Sequence, residues 1–215
     1  MTKRNIMKKK SILISIVLCL MTGGIFAQTS AEQFVKQTVD KLKKHKNTAI
    51  TFDYRIDGEN AKSEESYKGK GYMQNDAYKL EIDEQQIISD GKTLWTYQEN
   101  VQEVMISNAD DNSDAMLSPL HFLTHYSEDY KLRYLPSGEK GAKCVEMTSP
   151  KAAFSKVVLT IDEKKQELKN MRVNDTNGNI LIIDIKELTY DHNWPSSFFT
   201  FDAKTHPDVE VIDMR

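Results

Sequence analysis

His121 and His125 stand four residues apart, a spacing that sets two imidazoles on one face of a helix and could hold zinc. Phe122, Leu123 and Thr124 lie between them, so the general-base glutamate of the two-histidine zinc motif is missing and no third ligand is marked. A surface pair on a short helix is the expectation, with no metal. Asp110-Asp111-Asn112-Ser113-Asp114 starts like a calcium loop, but Ala115 stands where the sharp turn needs glycine and His121 where the last ligand should be glutamate. The serines lack a Gly-x-Ser-x-Gly setting, and no glycine-rich phosphate loop follows a strand. Asp53, Asp83 and Asp162 fall on polar faces or in turns, where solvation accounts for them. Cys144 falls inside a strand, where a buried, inert thiol is expected. No catalytic residue and no cofactor is expected; the pattern is that of a binding protein rather than an enzyme.

The elements around these residues begin with an export segment. Lys3, Arg4, Lys8, Lys9 and Lys10 precede an uncharged apolar run from Ser11 to Ala27, the layout of a secretory signal cleaved near Ala27. The run is shorter than the ~20 apolar residues of a spanning helix, and Gly23-Gly24 interrupts it. Cys19 follows Leu18, not a small residue, and sits within the apolar run, which argues against lipidation. Residues 1–27 are therefore expected to be a signal peptide, and 28–215 a single domain in the periplasm whose lone cysteine, Cys144, forms no internal disulfide. The full chain carries −3, and loss of five basic residues leaves about −8. Such acidity excludes nucleic acid as a partner, because phosphate binding needs a basic face.

Ser30-Ala31-Glu32-Gln33 is a capping box opening a helix in which Phe34, Val35, Val39 and Leu42 share one face. Beyond this helix the residues alternate with period two. Ile50, Phe52, Tyr54 and Ile56 take one side of a strand, and Tyr78, Leu80 and Ile82 of another. Further strands are expected at 67–73, 85–89, 92–98, 101–107, 129–135, 142–148, 155–162, 166–174 and 179–189. Asp90-Gly91, Ser137-Gly138 and Asn177-Gly178 supply turns. The fold class is mainly β with a few short helices: one antiparallel meander of about eleven strands, either a barrel or a strongly curved sheet. A short apolar helix over Met116 to His125 interrupts it, and Trp194-Pro195 introduces Phe198, Phe199 and Phe201 near the end.

Ile88-Ser89-Asp90-Gly91-Lys92-Thr93-Leu94-Trp95-Thr96-Tyr97 resembles the signature hairpin of the LolA family of outer-membrane lipoprotein carriers. Ser118-Pro119-Leu120 is similar to the start of that family's inserted helix. Leu159 to Asp162 and Met171 to Gly178 resemble its late strands, and Phe199-Thr200-Phe201 with Pro207 to Ile212 its C-terminal end. The resemblance implies an incomplete barrel with a helical lid over an apolar cavity. It implies a chaperone that takes lipoprotein acyl chains from an inner-membrane ABC transporter of the LolCDE type. Delivery would be to an outer-membrane receptor of the LolB type or its equivalent, by a monomer. The family's Arg-Pro pair after the strand at 69–74 is replaced by Gln74-Asn75-Asp76-Ala77, so its arginine lid latch does not carry over.

Taking the more apolar alternates of the early strands, the cavity lining is expected to be Phe52, Tyr54, Leu80, Ile82, Ile88, Trp95, Tyr97, Val104 and Ile106. Leu120, Phe122 and Leu123 would form the lid. Ile88→Asp is then expected to abolish acyl binding without unfolding the sheet. Two alternatives share this pattern: a protein of the same fold that binds another lipid or senses the envelope, and a ligand-free structural protein.

Overall fold

The computed structural model describes residues 30–57, 66–109, 118–126, 128–152, 154–174 and 179–215. The export segment, the Asp110 to Ala115 loop, Met116, Leu117 and the Asn177-Gly178 turn lie outside the described residues.

Helix α1 spans Ala31–Lys44 and opens with the expected capping box: Gln33 N donates to the Ser30 hydroxyl and Ser30 N to the Gln33 side chain. Phe34, Val35 and Leu42 are buried on its inner face. The strands are β1 Thr48–Asp57, β2 Tyr67–Gln74, β3 Ala77–Ile82, β4 Gln85–Ser89, β5 Thr93–Gln98 and β6 Glu103–Asn108. Helix α2, Pro119–His125, comes next, with Ser118 as its cap and proline at its first turn. Then come β7 Lys131–Leu135, β8 Ala142–Thr148, β9 Lys156–Asp162, β10 Glu167–Asn174 and β11 Ile180–Tyr190. Two 3-10 turns, Ser196–Phe199 and Ala203–Thr205, precede β12 Glu210–Asp213.

All twelve strands form one open, curved sheet in the order β12-β6-β5-β4-β3-β2-β1-β11-β10-β9-β8-β7. The chain runs outward from β1 in one direction, then restarts at the far edge and returns until β11 pairs with β1. Register shifts at Thr51/Phe52 and at Leu168/Asn170 insert bulges, which bend strands and sharpen their twist. The twelfth strand, not among the eleven read from the sequence, is also the exception to antiparallel pairing among the described residues. The chain crosses the back of the sheet after β11 and enters beside β6 in the same direction. The Asp90-Gly91 turn owes its shape to both residues. The Asp90 carboxylate accepts from Lys92 N and Thr93 N at 2.9 and 2.8 Å. Gly91 adopts φ +89° with Asp76 packed closely beside it, a conformation and clearance that disfavour a side chain.

Cross-strand partners share a face, so the register sorts the side chains into two sets. Gly71, Leu80, Ile87 and Thr96 form one row, and Met73, Tyr78, Ser89 and Leu94 the next. These rows face α1 and α2 on the concave side and belong to the main core with Phe34, Phe52, Val145, Leu159, Met171 and Ile183. Tyr72, Lys79, Ile88, Trp95 and Ile106 form a row on the opposite side, and Glu81, Gln86, Tyr97 and Val104 its neighbour. That convex side is covered by the C-terminal strap. Phe198 meets Tyr72 edge-on at 5.1 Å and carries Lys79 Nζ over its ring at 5.1 Å, while Phe201 packs on Tyr97 at 5.1 Å.

Candidate functional site

The concave face does not close completely. An apolar cavity of about 250 Å³ remains between the middle of the sheet and the β8–β9 connection. Phe52, Tyr54 and Ile56 of β1, Leu80 and Ile82 of β3, Val173 of β10, and Leu181 and Ile183 of β11 line it, with Phe154 and Asn179. A glycine pattern in β2 makes this possible. Gly69 and Gly71 present no side chain to the concave face, so the Phe52 ring lies directly against Gly69 and Ile50 reaches to 3.0 Å of where a Cβ on Gly71 would stand. The aromatic side chains continue toward the rim. Phe52 and Tyr54 lie 6.2 Å apart, and Tyr54 stacks on Tyr67 at 5.5 Å, with Ile56 and Tyr67 both exposed. Burial, with smaller contributions from Asp83 and Tyr67, pushes the Tyr54 phenol above its ordinary value, so the lining stays uncharged at neutral pH.

A cavity of ~150 Å³ lined by aliphatic and aromatic groups stays dry and admits benzene. The space here is therefore right for a section of one hydrocarbon chain. Each methylene buried contributes about 0.8 kcal/mol. Among the described lining residues none is charged, and Asn179 and the Tyr54 hydroxyl are the polar groups, so the space suits an apolar group.

Four of the nine residues expected to line a cavity do so: Phe52, Tyr54, Leu80 and Ile82. Ile88, Trp95, Tyr97, Val104 and Ile106 stand together on the opposite, convex face. The reason lies in β4, where Ile87 and Ile88 are adjacent apolar residues; Ile87 pairs with Leu80 and faces inward, which turns Ile88 and everything in its row outward. Leu120, Phe122 and Leu123 of α2 are buried in the core beside the cavity rather than in its wall. Ile56, Val173, Leu181, Ile183 and Phe154 line the cavity without belonging to the expected set. The first four obey the alternation of their strands, but their convergence depends on β1 pairing with β11. Phe154 carries no periodic signal.

Helix α2 is held at its C-terminal end by the β2–β3 turn. His125 Nε2 lies 3.7 Å from the Asp76 carboxylate, and the Thr124 hydroxyl lies 3.6 Å from Met73 Sδ. The two histidines are not a simple surface pair: their rings stack at 4.3 Å, and His121 tilts over Tyr78 at 4.6 Å on the concave side. Among the described residues no three His, Cys, Asp or Glu side chains group as metal ligands. Cys144 is half-buried rather than buried, on the convex face, its Sγ 3.5 Å from the Thr160 hydroxyl.

Comparison with known proteins places residues 80–202 in the family model described as outer membrane lipoprotein carrier protein LolA. The outer-membrane lipoprotein carrier protein of Shewanella sediminis is 26% identical over 215 residues, covering 97% of this chain and 98% of its own. That of Shewanella baltica is 30% identical over 129 residues, 60% of each chain. A solved structure of a conserved protein from Thermus thermophilus superposes with a TM-score of 0.56 at 15% identity, over 84% of this chain and 99% of that one. It shares the fold.

Proposed function

The chain belongs to the LolA family of outer membrane lipoprotein carrier proteins, and on that footing we propose that it is a periplasmic carrier of lipoproteins which shelters an acyl chain in the concave cavity. The observation that carries this reading is the predominantly apolar space bounded by Phe52, Tyr54, Leu80, Ile82 and Ile183. Residues 1–27 act as the cleaved export signal and 28–215 as one monomeric carrier domain. Among the described residues no helix is long and apolar enough to cross a membrane. The donor is an inner-membrane transporter of the LolCDE type and the acceptor an outer-membrane receptor of the LolB type or its equivalent. No reaction is performed: capture and release exchange one apolar environment for another. Partial coverage of the chain keeps release feasible, since every methylene left outside lowers the barrier to transfer.

Mass spectrometry of lipids and lipoproteins co-purifying with the exported protein tests this directly, together with lipoprotein build-up in the inner membrane on depletion. Leu181→Asp, which charges a half-buried lining position on β11, should eliminate co-purification while the sheet remains folded. Co-purification unaffected by Leu181→Asp, or absent from the wild type, would count against the carrier role. One observation favours a second reading, carriage of a different lipid: Asp76 and His125 meet where the family places its arginine latch. The same mass spectra decide it by the identity of the bound molecule.

A further inference from the structure

The cavity floor comes from the sheet, and its roof does not. Phe52, Leu80 and Ile183 project from strands paired on both sides, so their positions are locked by ladders of hydrogen bonds. Phe154 comes from the connection between β8 and β9. Its main-chain carbonyl accepts a hydrogen bond of 2.6 Å from the hydroxyl of Tyr130. Tyr130, buried just ahead of β7, meets Phe122 of α2 edge-on at 5.9 Å and Tyr126 at 6.3 Å. The phenol therefore joins the helix on the concave face to a wall of the cavity that no strand pairing holds in place. Burial raises its pKa, so it remains a donor at neutral pH.

We propose that Phe154 limits how much of a hydrocarbon chain the cavity accepts, and that Tyr130 is the positioning residue that holds it there. The inference rests on the acyl-carrier reading above. The ligand class it names is a single acyl chain, because the space beneath Phe154 takes only a section of one chain. Deeper entry requires the ring to move. A shift of α2 would reach the ring through Tyr130, so the same bond can couple the helix to the depth of the cavity.

The test is displacement of cis-parinaric acid from the exported protein by saturated fatty acids of graded length. Affinity should rise about fourfold per added methylene until the cavity is full, then level off. Phe154→Ala should move the plateau to longer chains, with about a fifteenfold gain for two additional methylenes. Phe154→Trp should move it to shorter ones. Tyr130→Phe keeps the ring packing and frees the carbonyl; its plateau should also move to longer chains, with faster probe dissociation. A plateau at the same length in wild type, Phe154→Ala and Phe154→Trp overturns the inference while leaving the carrier reading in place. A wild-type plateau and dissociation rate in Tyr130→Phe overturns the positioning role. A wild type that captures no fatty acid, or capture that Leu181→Asp leaves unchanged, overturns the acyl cavity, and the inference with it.

Discussion

The ring of Phe52 lies against Gly69 on the neighbouring strand so closely that a methyl group there would occupy the ring's own space. This contact seats the cavity floor. Gly69→Ala must therefore drive Phe52 upward into the cavity. We expect a loss of about 1–3 kcal/mol in stability, the usual cost of overpacking, together with weakened probe capture. Urea unfolding and cis-parinaric acid titration of the same sample check both effects. Unchanged capture would show that Phe52 escapes elsewhere.

The two faces of the sheet should separate cleanly on mutation. Phe199 is the buried side chain of the C-terminal strap, and Phe199→Ala should cost about 3–5 kcal/mol without changing capture per folded molecule. Ile88→Asp, which alternation alone marks as a cavity mutation, should instead destabilise by roughly 3 kcal/mol or more, because it places a carboxylate in an apolar layer. Comparison of unfolding curves with probe stoichiometry distinguishes the outcomes. A fully stable Ile88→Asp protein that binds no probe would contradict the β3–β4 register.

Acid stability should depend on Glu146. Its carboxylate is buried on the convex face and bonded to Lys156 at 3.0 Å and to Arg133 at 2.6 Å. The Lys156 contact first, then that of Arg133, holds it below the usual carboxylate range against the opposing effect of burial. A lowered folded-state pKa contributes stability that is present above the unfolded value, near ~4.3 for glutamate, and lost as pH falls through the folded value. Glu146→Gln should cost about 1–2 kcal/mol at neutral pH, and the gap from wild type should vanish in acid. Parallel unfolding curves across the pH range measure it; a pH-independent gap would contradict this origin.

Removal of the α1 cap is a smaller and local perturbation. Ser30→Ala deletes the acceptor of Gln33 N and should cost about 1 kcal/mol. Thermal unfolding reports it, and capture should not change, since α1 contributes nothing to the cavity wall.

Short-range features were legible in the residues. The capping box at Ser30, the alternation of β1 and β3, and the Asp90-Gly91 turn each depend on neighbours within a few positions, and each formed as its spacing required. The resemblance at Ile88 to Tyr97 led to the right family for the same reason. The lining was only half legible. In β4 two adjacent isoleucines satisfy either face, and only pairing with Leu80 decides between them.

The order of residues along the chain was enough to establish the fold class and the family: strands with one apolar side and a family hairpin. Where a ligand can go depends instead on long-range packing. β1 meets β11 across more than half the chain, the strap from Trp194 to Phe201 buries the second apolar face, and Phe154 roofs the first. Alternation specifies that two faces differ, but which one is filled depends on the remote segments that return to cover it. The family hairpin is therefore a matter of local pattern, and the cavity a matter of strands that pair across the chain.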